Sequence, residues 1–251
     1  MRTTLARVWS PILLIAALAY SLPLEAQVPE LTYTVVKSWS TLYDTTMANP
    51  AYGPVNSPDG IAWDGSGLWI TQCGGPNFAK FDTDGNFIES FTLPGGDVAD
   101  HLAWDGTYLW ANVHAHPDDP GASDPTASPG GRIIQIDTTT HEVIKTIEIP
   151  WADWRMSPMG LGFDGQYLWT NGHMAKQIYR IDPVTLEGVE TPAFPNPANP
   201  FNPAGQINSC GNASDGQSCL WVSDLTAGLY FQVDTTTGEV ASYLLPPVNP
   251  D

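Results

Sequence analysis

An Asp-Gly turn, then Leu-Trp, then an apolar residue followed by Asp recurs four times along this chain. A fixed internal period of this kind sets the architecture before any single residue does. The copies run from Trp63-Asp64-Gly65 to Leu68-Trp69, from Trp104-Asp105-Gly106 to Leu109-Trp110, from Phe163-Asp164-Gly165 to Leu168-Trp169, and from Asp215-Gly216 to Leu220-Trp221. They close on Phe81-Asp82, Ile136-Asp137, Ile181-Asp182 and Val233-Asp234. The interval from Trp to that Asp is 13 residues in units one, three and four and 27 in unit two, which puts a 14-residue insertion in Ala115–Gly131. Successive Trp residues lie 41, 59 and 52 positions apart, so each unit is a whole supersecondary block.

Within a unit, apolar residues alternate over short runs: Gly60–Trp63, Leu68–Thr71, Phe78–Phe81 and Phe87–Thr92 in unit one. Such alternation predicts half-buried strands. Asp-Gly predicts a type I′ hairpin, in which both central residues need positive φ. The later turns read Asp82-Thr-Asp-Gly-Asn86, Asp137-Thr-Thr-Thr-His141, Asp182-Pro-Val-Thr-Leu186 and Asp234-Thr-Thr-Thr-Gly238. They are short polar links whose Asp and Thr can bond nearby backbone N–H groups. Four antiparallel strands per unit, repeated, predict an all-β chain: a β-propeller with four visible four-stranded blades plus one extra N-terminal strand, Tyr33–Trp39. That strand either caps the ring or pairs with another chain. A closed ring of four is the expectation. The alternative is an open ring completed by a partner, since an uncovered sheet edge invites pairing.

The segments "GIAWDGSGLWI", "HLAWDGTYLWA" and "GLGFDGQYLWT", leading to "FDTDGN", "IDTTTHEV" and "IDPVTLEG", resemble the secreted bacterial propellers of the streptogramin-lyase, glutaminyl-cyclase and NHL-like type. The resemblance covers roughly Leu31 to Leu245. It implies a lyase or cyclase as one reading of the function. The Gly-Pro-flanked motifs of the lyase are not matched, so no residue's role carries over, and a propeller by itself specifies no chemistry.

Residues 1–26 read as a signal peptide. Arg2 and Arg7 supply its positive region, Pro11–Tyr20 is apolar but too short to span a bilayer, and Leu24-Glu25-Ala26 is a cleavage site. Residues 27–251 then form a single domain, secreted or periplasmic. The formal net charge of −18 repels nucleic acid and anionic lipid, which demand clustered cations. No other apolar segment predicts membrane insertion. Export makes a disulfide between Cys210 and Cys219 reasonable, stapling the longer hairpin of unit four and leaving Cys73 over.

Strand order predicts where a site lies. Links from the second strand to the third, and from one blade to the next, emerge on one face. The insertions Ala115–Gly131 and Thr191–Ala204 fall there, and insertions on one face commonly mark a binding side. The position four after each Trp is Cys73, His114, His173 and Leu225. Pseudo-symmetry can gather these around one channel. His101 opens the inner strand of unit two, where units one and three have Gly60 and Gly160. Cys73, His114, His173 and His101 are thus a candidate copper or zinc set. His101 and His173 are candidate general bases in a catalytic reading. His116, Asp59, Asp100, Asn112 and Asn171 are candidate ligand-binding residues, although polar strand positions that recur, as Asn112 and Asn171 do, more often bond neighbouring blades.

Calcium is a further candidate, at Asp118-Asp119 or Asp82-Thr-Asp84-Gly-Asn86, but the latter lacks the later bidentate Glu of an EF-hand loop. No Gly-x-Ser-x-Gly elbow, P-loop or His-Glu-x-x-His helix occurs, so nothing indicates serine-hydrolase chemistry, a nucleotide or an organic cofactor. The reading that results is a secreted binding or scaffold propeller whose partner is a small molecule, a metal ion or a protein. Two alternatives stand beside it: a lyase- or cyclase-type enzyme using the same face, and a structural subunit that self-associates through Tyr33–Trp39.

Overall fold

The computed structural model describes residues 30–31, 58–72, 76–93, 98–114, 131–151, 158–172, 176–207, 209–224 and 228–245. All its regular elements are strands. After β1 (Glu30–Leu31), the first sheet is β2 (Pro58–Trp63), β3 (Leu68–Gln72), β4 (Asn77–Phe81) and β5 (Phe87–Thr92). The second is β6 (Val98–Trp104), β7 (Leu109–His114), β8 (Arg132–Asp137) and β9 (Glu142–Glu148). The third is β10 (Pro158–Phe163), β11 (Leu168–Gly172), β12 (Gln177–Ile181) and a two-residue outer strand, β13 (Phe194–Pro195). A separate ribbon of β14 (Ala198–Asn199) and β15 (Asn202–Gln206) precedes the fourth sheet, β16 (Ser209–Ser214), β17 (Cys219–Asp224), β18 (Leu229–Asp234) and β19 (Val240–Leu244). Strands are neighbours in chain order within each sheet, all antiparallel, and β1 adds to the outer edge of sheet four by pairing parallel with β19. The architecture is a four-bladed propeller arrangement with one extra strand. Tyr33–Trp39 lies outside the described residues.

The repeat builds the blade interfaces. Trp69, Trp110 and Trp169 are fully buried, each packed with residues of the following sheet: Trp69 with Leu102 and Leu109, Trp110 with Leu161 and Leu168, Trp169 with Leu220 and Val222. An aromatic side chain burying about 150–250 Å2 at about 25 cal/mol per Å2 contributes roughly 4–6 kcal/mol of transfer free energy. The Asp of each turn orients its Trp. Asp64 Oδ2 accepts the Trp69 indole N–H at 2.9 Å, and Asp105 and Asp164 accept those of Trp110 and Trp169 at 2.7 Å. The other oxygen of each carboxylate accepts two backbone N–H groups of its own turn.

This explains a departure from the type I′ expectation. Trp63 pairs with Leu68, so four residues, not two, link the strands, and in these turns only the Gly has positive φ (Gly65, +91°). The Asp adopts ordinary φ because its side chain, bonded into the turn, does the work assigned to a left-handed backbone. The later turns behave as expected: Asp82, Asp137, Asp182 and Asp234 each accept nearby backbone N–H groups.

The predicted Cys210–Cys219 disulfide is corrected, because Cys219 is a free thiol. Ser209 and Gly211 pair with Asp224 and Ser223, at the far end of the hairpin from Cys219. The two backbones are thus about four strand steps, roughly 13 Å, apart. A disulfide needs Cα atoms within about 7 Å.

Inner strands β2, β6 and β10 pack in succession, and β10 packs on β16. Among the described residues no comparable contact joins β16 back to β2. Between those two sheets the channel widens into a cleft.

Candidate functional site

Each inner strand begins with a bulge, between Pro58 and Ile61, Ala99 and Leu102, Met159 and Leu161, and Ser209 and Gly211. Bulges re-aim side chains and are common beside functional sites. The position three before the end of the strand is Gly60, Gly160 and Gly211 in sheets one, three and four. A Cβ on Gly60 would collide with the Asp100 carbonyl and lie 2.7 Å from His101 Cα; one on Gly160 would collide with the Asn212 backbone N. The inner strands approach too closely there for a side chain. Sheet two has His101 instead, and its imidazole lines the cleft with Nε2 3.7 Å from Asp59 Oδ1.

The cleft occupies about 1060 Å3. At the end where the inner strands begin it is lined by Asp59 and His101, and by Asp224 at the end of β17. Where the inner strands finish it is lined by Trp63, Trp104 and Phe163. Sheet four adds Trp221, Tyr230 and Leu244. Asp224 is 2% exposed, and Asn199 from the β14–β15 ribbon donates to its Oδ2 at 3.1 Å. Phe201 of the same ribbon packs edge-on against Tyr243, so part of the Thr191–Ala204 insertion is seated on sheet four beside the cleft.

The other candidates distribute unevenly. Asn112 and Asn171 are buried; the Asn112 amide donates to the Pro158 and Gly160 carbonyls of the next sheet, both at 2.9 Å. Thr71, at the equivalent position, bonds Gly60 N and the Asp100 carbonyl in the same bridging manner. Asp100 is buried on β6 beside His101. His114 ends β7, its backbone opposite Val98. Cys73, His116, His173 and Asp118-Asp119 lie outside the described residues. Among the described residues no group of three His, Cys, Asp or Glu side chains could hold a metal ion. Asp82 Oδ1 accepts the N–H groups of Asp84 and Asn86, each at 2.8 Å, so that loop is knit as a hairpin.

Sequence reasoning missed Trp63, Trp221 and Tyr230 as lining residues and Asn199 as the donor to Asp224. A signal for Trp221 was present. Asp-to-Trp spacing is five residues in units one to three and six in unit four. Asp215 there accepts the N–H groups of Gln217 and Cys219.

Electrostatics separate the turn carboxylates from the cleft. Burial raises the Asp64 pKa, but the Lys80 ammonium at 2.7 Å and bonds from Ser66 and Gly67 outweigh it, holding the carboxyl well below the usual carboxylate range. Asp182 and Asp234 are lowered chiefly by backbone N–H groups of Thr185 and Thr237. Burial raises Tyr179.

Solved structures share this fold at low identity. Glutaminyl cyclase from Myxococcus xanthus aligns with a TM-score of 0.53 and 11% identity over 76% of this chain and 71% of that one. A chain of the nidogen/laminin complex aligns with a TM-score of 0.53 and 14% identity over 80% of this chain and 66% of that one. Virginiamycin B lyase from Staphylococcus aureus, solved with quinupristin, gives 0.45 and 19% over 79% and 58%. The chain therefore spans roughly three-fifths to seven-tenths of the length of these propellers, and the likeness is one of fold. No family model matches the sequence, and no curated protein matches it.

Proposed function

We propose that this protein is an extracytoplasmic binding propeller that takes a small molecule in the cleft between its first and fourth sheets. The observation that carries the reading is His101. Two of the four inner strands have no room for a side chain at this position and a third also carries glycine, whereas the second places a histidine there, in the lining of the cleft beside Asp59. The volume, the apolar walls and the few convergent polar groups are those of a small-molecule site. The apolar N-terminal leader supports export.

The test is a thermal-shift and calorimetric ligand screen on the wild type and His101→Gly, which gives sheet two the residue of the other three. Ligand at 100 times its Kd stabilises the native state by about 2.7 kcal/mol. That gain should vanish in the variant while its unliganded melting temperature stays close to wild type. Ligands that stabilise both proteins equally would overturn the assignment. Elemental analysis of the purified protein tests the copper or zinc set of Cys73, His114, His173 and His101: metal near one equivalent, lost in Cys73→Ala and in His114→Ala, supports it. Activity that disappears in His173→Ala, in a protein that still folds, would support the lyase or cyclase alternative.

A further inference from the structure

The class of ligand follows from the neutral groups of the cleft walls, on the premise that the cleft is the binding site. Its charged groups have partners within the protein: Asp59 faces His101, and Asn199 donates to Asp224. The neutral groups divide sharply. Trp69, Trp110 and Trp169 donate their indole N–H groups to turn carboxylates, and Trp151 donates to the Val189 carbonyl. Trp63, Trp104 and Trp221 line the cleft, and none of their N–H groups has an acceptor among the described residues. Tyr230, 42% exposed, lines it as well, and its hydroxyl likewise bonds no described residue. Ser223 adds a fifth such group. At its position, two after the Trp, Thr71 bonds the Asp100 carbonyl of the next sheet and Asn112 bonds those of Pro158 and Gly160. The Ser223 hydroxyl, on the wall of the cleft, bonds no described residue.

Trp and Tyr side chains each present a flat apolar face and a polar edge. An occupant that covers the faces must also reach the edges, because a buried N–H or O–H left without a partner costs free energy. A wholly apolar ring cannot do this. A planar aromatic ring meets the faces but carries few acceptors at its rim. A pyranose ring does both: its C–H groups form an apolar face, and hydroxyls that donate and accept project from its rim. The net charge of −18 disfavours an anionic sugar. The cleft, at about 1060 Å3, reaches the upper end of the roughly 300–1,000 Å3 range of ligand pockets, which suits several linked rings. We infer that the cleft binds a neutral oligosaccharide, its rings stacked on Trp63, Trp221 and Tyr230 and its hydroxyls bonded to the indole N–H groups and to Ser223.

The test is calorimetry and ligand-observed NMR on the purified protein with three neutral tetrasaccharides: cellotetraose, maltotetraose and tetra-N-acetylchitotetraose. Tryptophol, an aromatic alcohol, is the comparison. At least one tetrasaccharide should bind with a submillimolar Kd, about tenfold more tightly than tryptophol. Trp221→Leu should weaken that sugar by about tenfold or more and Ser223→Ala by about threefold, with unchanged circular dichroism. Should Trp221→Leu fail to fold, Trp63→Leu, at a position 47% exposed, replaces it with the same expectation. Tryptophol bound in place of all three sugars, and lost in His101→Gly, would overturn the carbohydrate assignment and leave the cleft as a binding site. Sugar binding that His101→Gly and Trp221→Leu both leave unchanged would overturn the cleft itself. No binding of any of the three sugars at millimolar concentration to folded wild type would overturn the carbohydrate assignment.

Discussion

Trp110 and Trp221 come from the same repeated phrase and meet opposite fates. Trp110 is fully buried against the third sheet, its indole N–H held by Asp105, whose carboxylate also binds Gln135. Trp221 is half-buried on the wall of a cleft, with one additional residue between it and its Asp. In sheets one to three the motif is an interface device. In sheet four, among the described residues, no following sheet covers the same indole, and it lines the cleft. One repeated phrase thus gives two environments, set by what stands opposite it.

The largest expected effect tests that contrast directly. Trp110→Ala empties a buried slot and should destabilise by about 3–5 kcal/mol in urea unfolding, whereas Trp221→Ala should cost about 1 kcal/mol or less. Equal losses would break the comparison. Next in size is the turn carboxylate. Asp105→Ala strands the Trp110 indole and two turn amides and should cost about 1–3 kcal/mol, and Asp215→Ala, which gives up two exposed turn bonds, markedly less.

Gly60→Ala sharpens the account of the inner strands. Its Cβ would enter the Asp100 carbonyl, so a loss of about 1–3 kcal/mol is expected, against a near-neutral His101→Gly. The smallest effect is pH-dependent. Asp64 has a folded pKa below its unfolded value of about 3.9, so its contribution is complete above about pH 4 and is lost as pH falls through the folded value. The melting temperature of Asp64→Asn should therefore fall less than that of wild type between pH 5 and pH 2.5. Parallel decline would remove Asp64 from the explanation.

Much of the blade could be read from residue order. Strands β2 to β5 lie within two residues of the runs that alternation marked, because a half-buried strand writes its period into the sequence. The bridging use of the position two after Trp was also legible, in Thr71 and Asn112, because equivalent positions of a ring share one environment. The turn geometry was not. Asp64 was read from backbone preference, and its side-chain bonds decided the outcome. The disulfide failed for a similar reason: sequence proximity counts residues, whereas the hairpin register sets Cys210 and Cys219 at opposite ends. His101 stood out in the sequence because it broke a glycine pattern, and the fold puts it in the lining of the cleft. Tyr230 was not, because its exposure depends on what stands opposite it.

The sequence alone determined the repeat, the four strands of each blade, and the residues at which the pattern breaks, since these follow from local periodicity and turn chemistry. Only the tertiary structure decided which copies of the motif would be covered. Burial is a property of neighbours in space, and four similar sheets become different when their neighbours differ. The same rule made Trp69 part of the core and left Trp221 partly buried on the wall of the cleft.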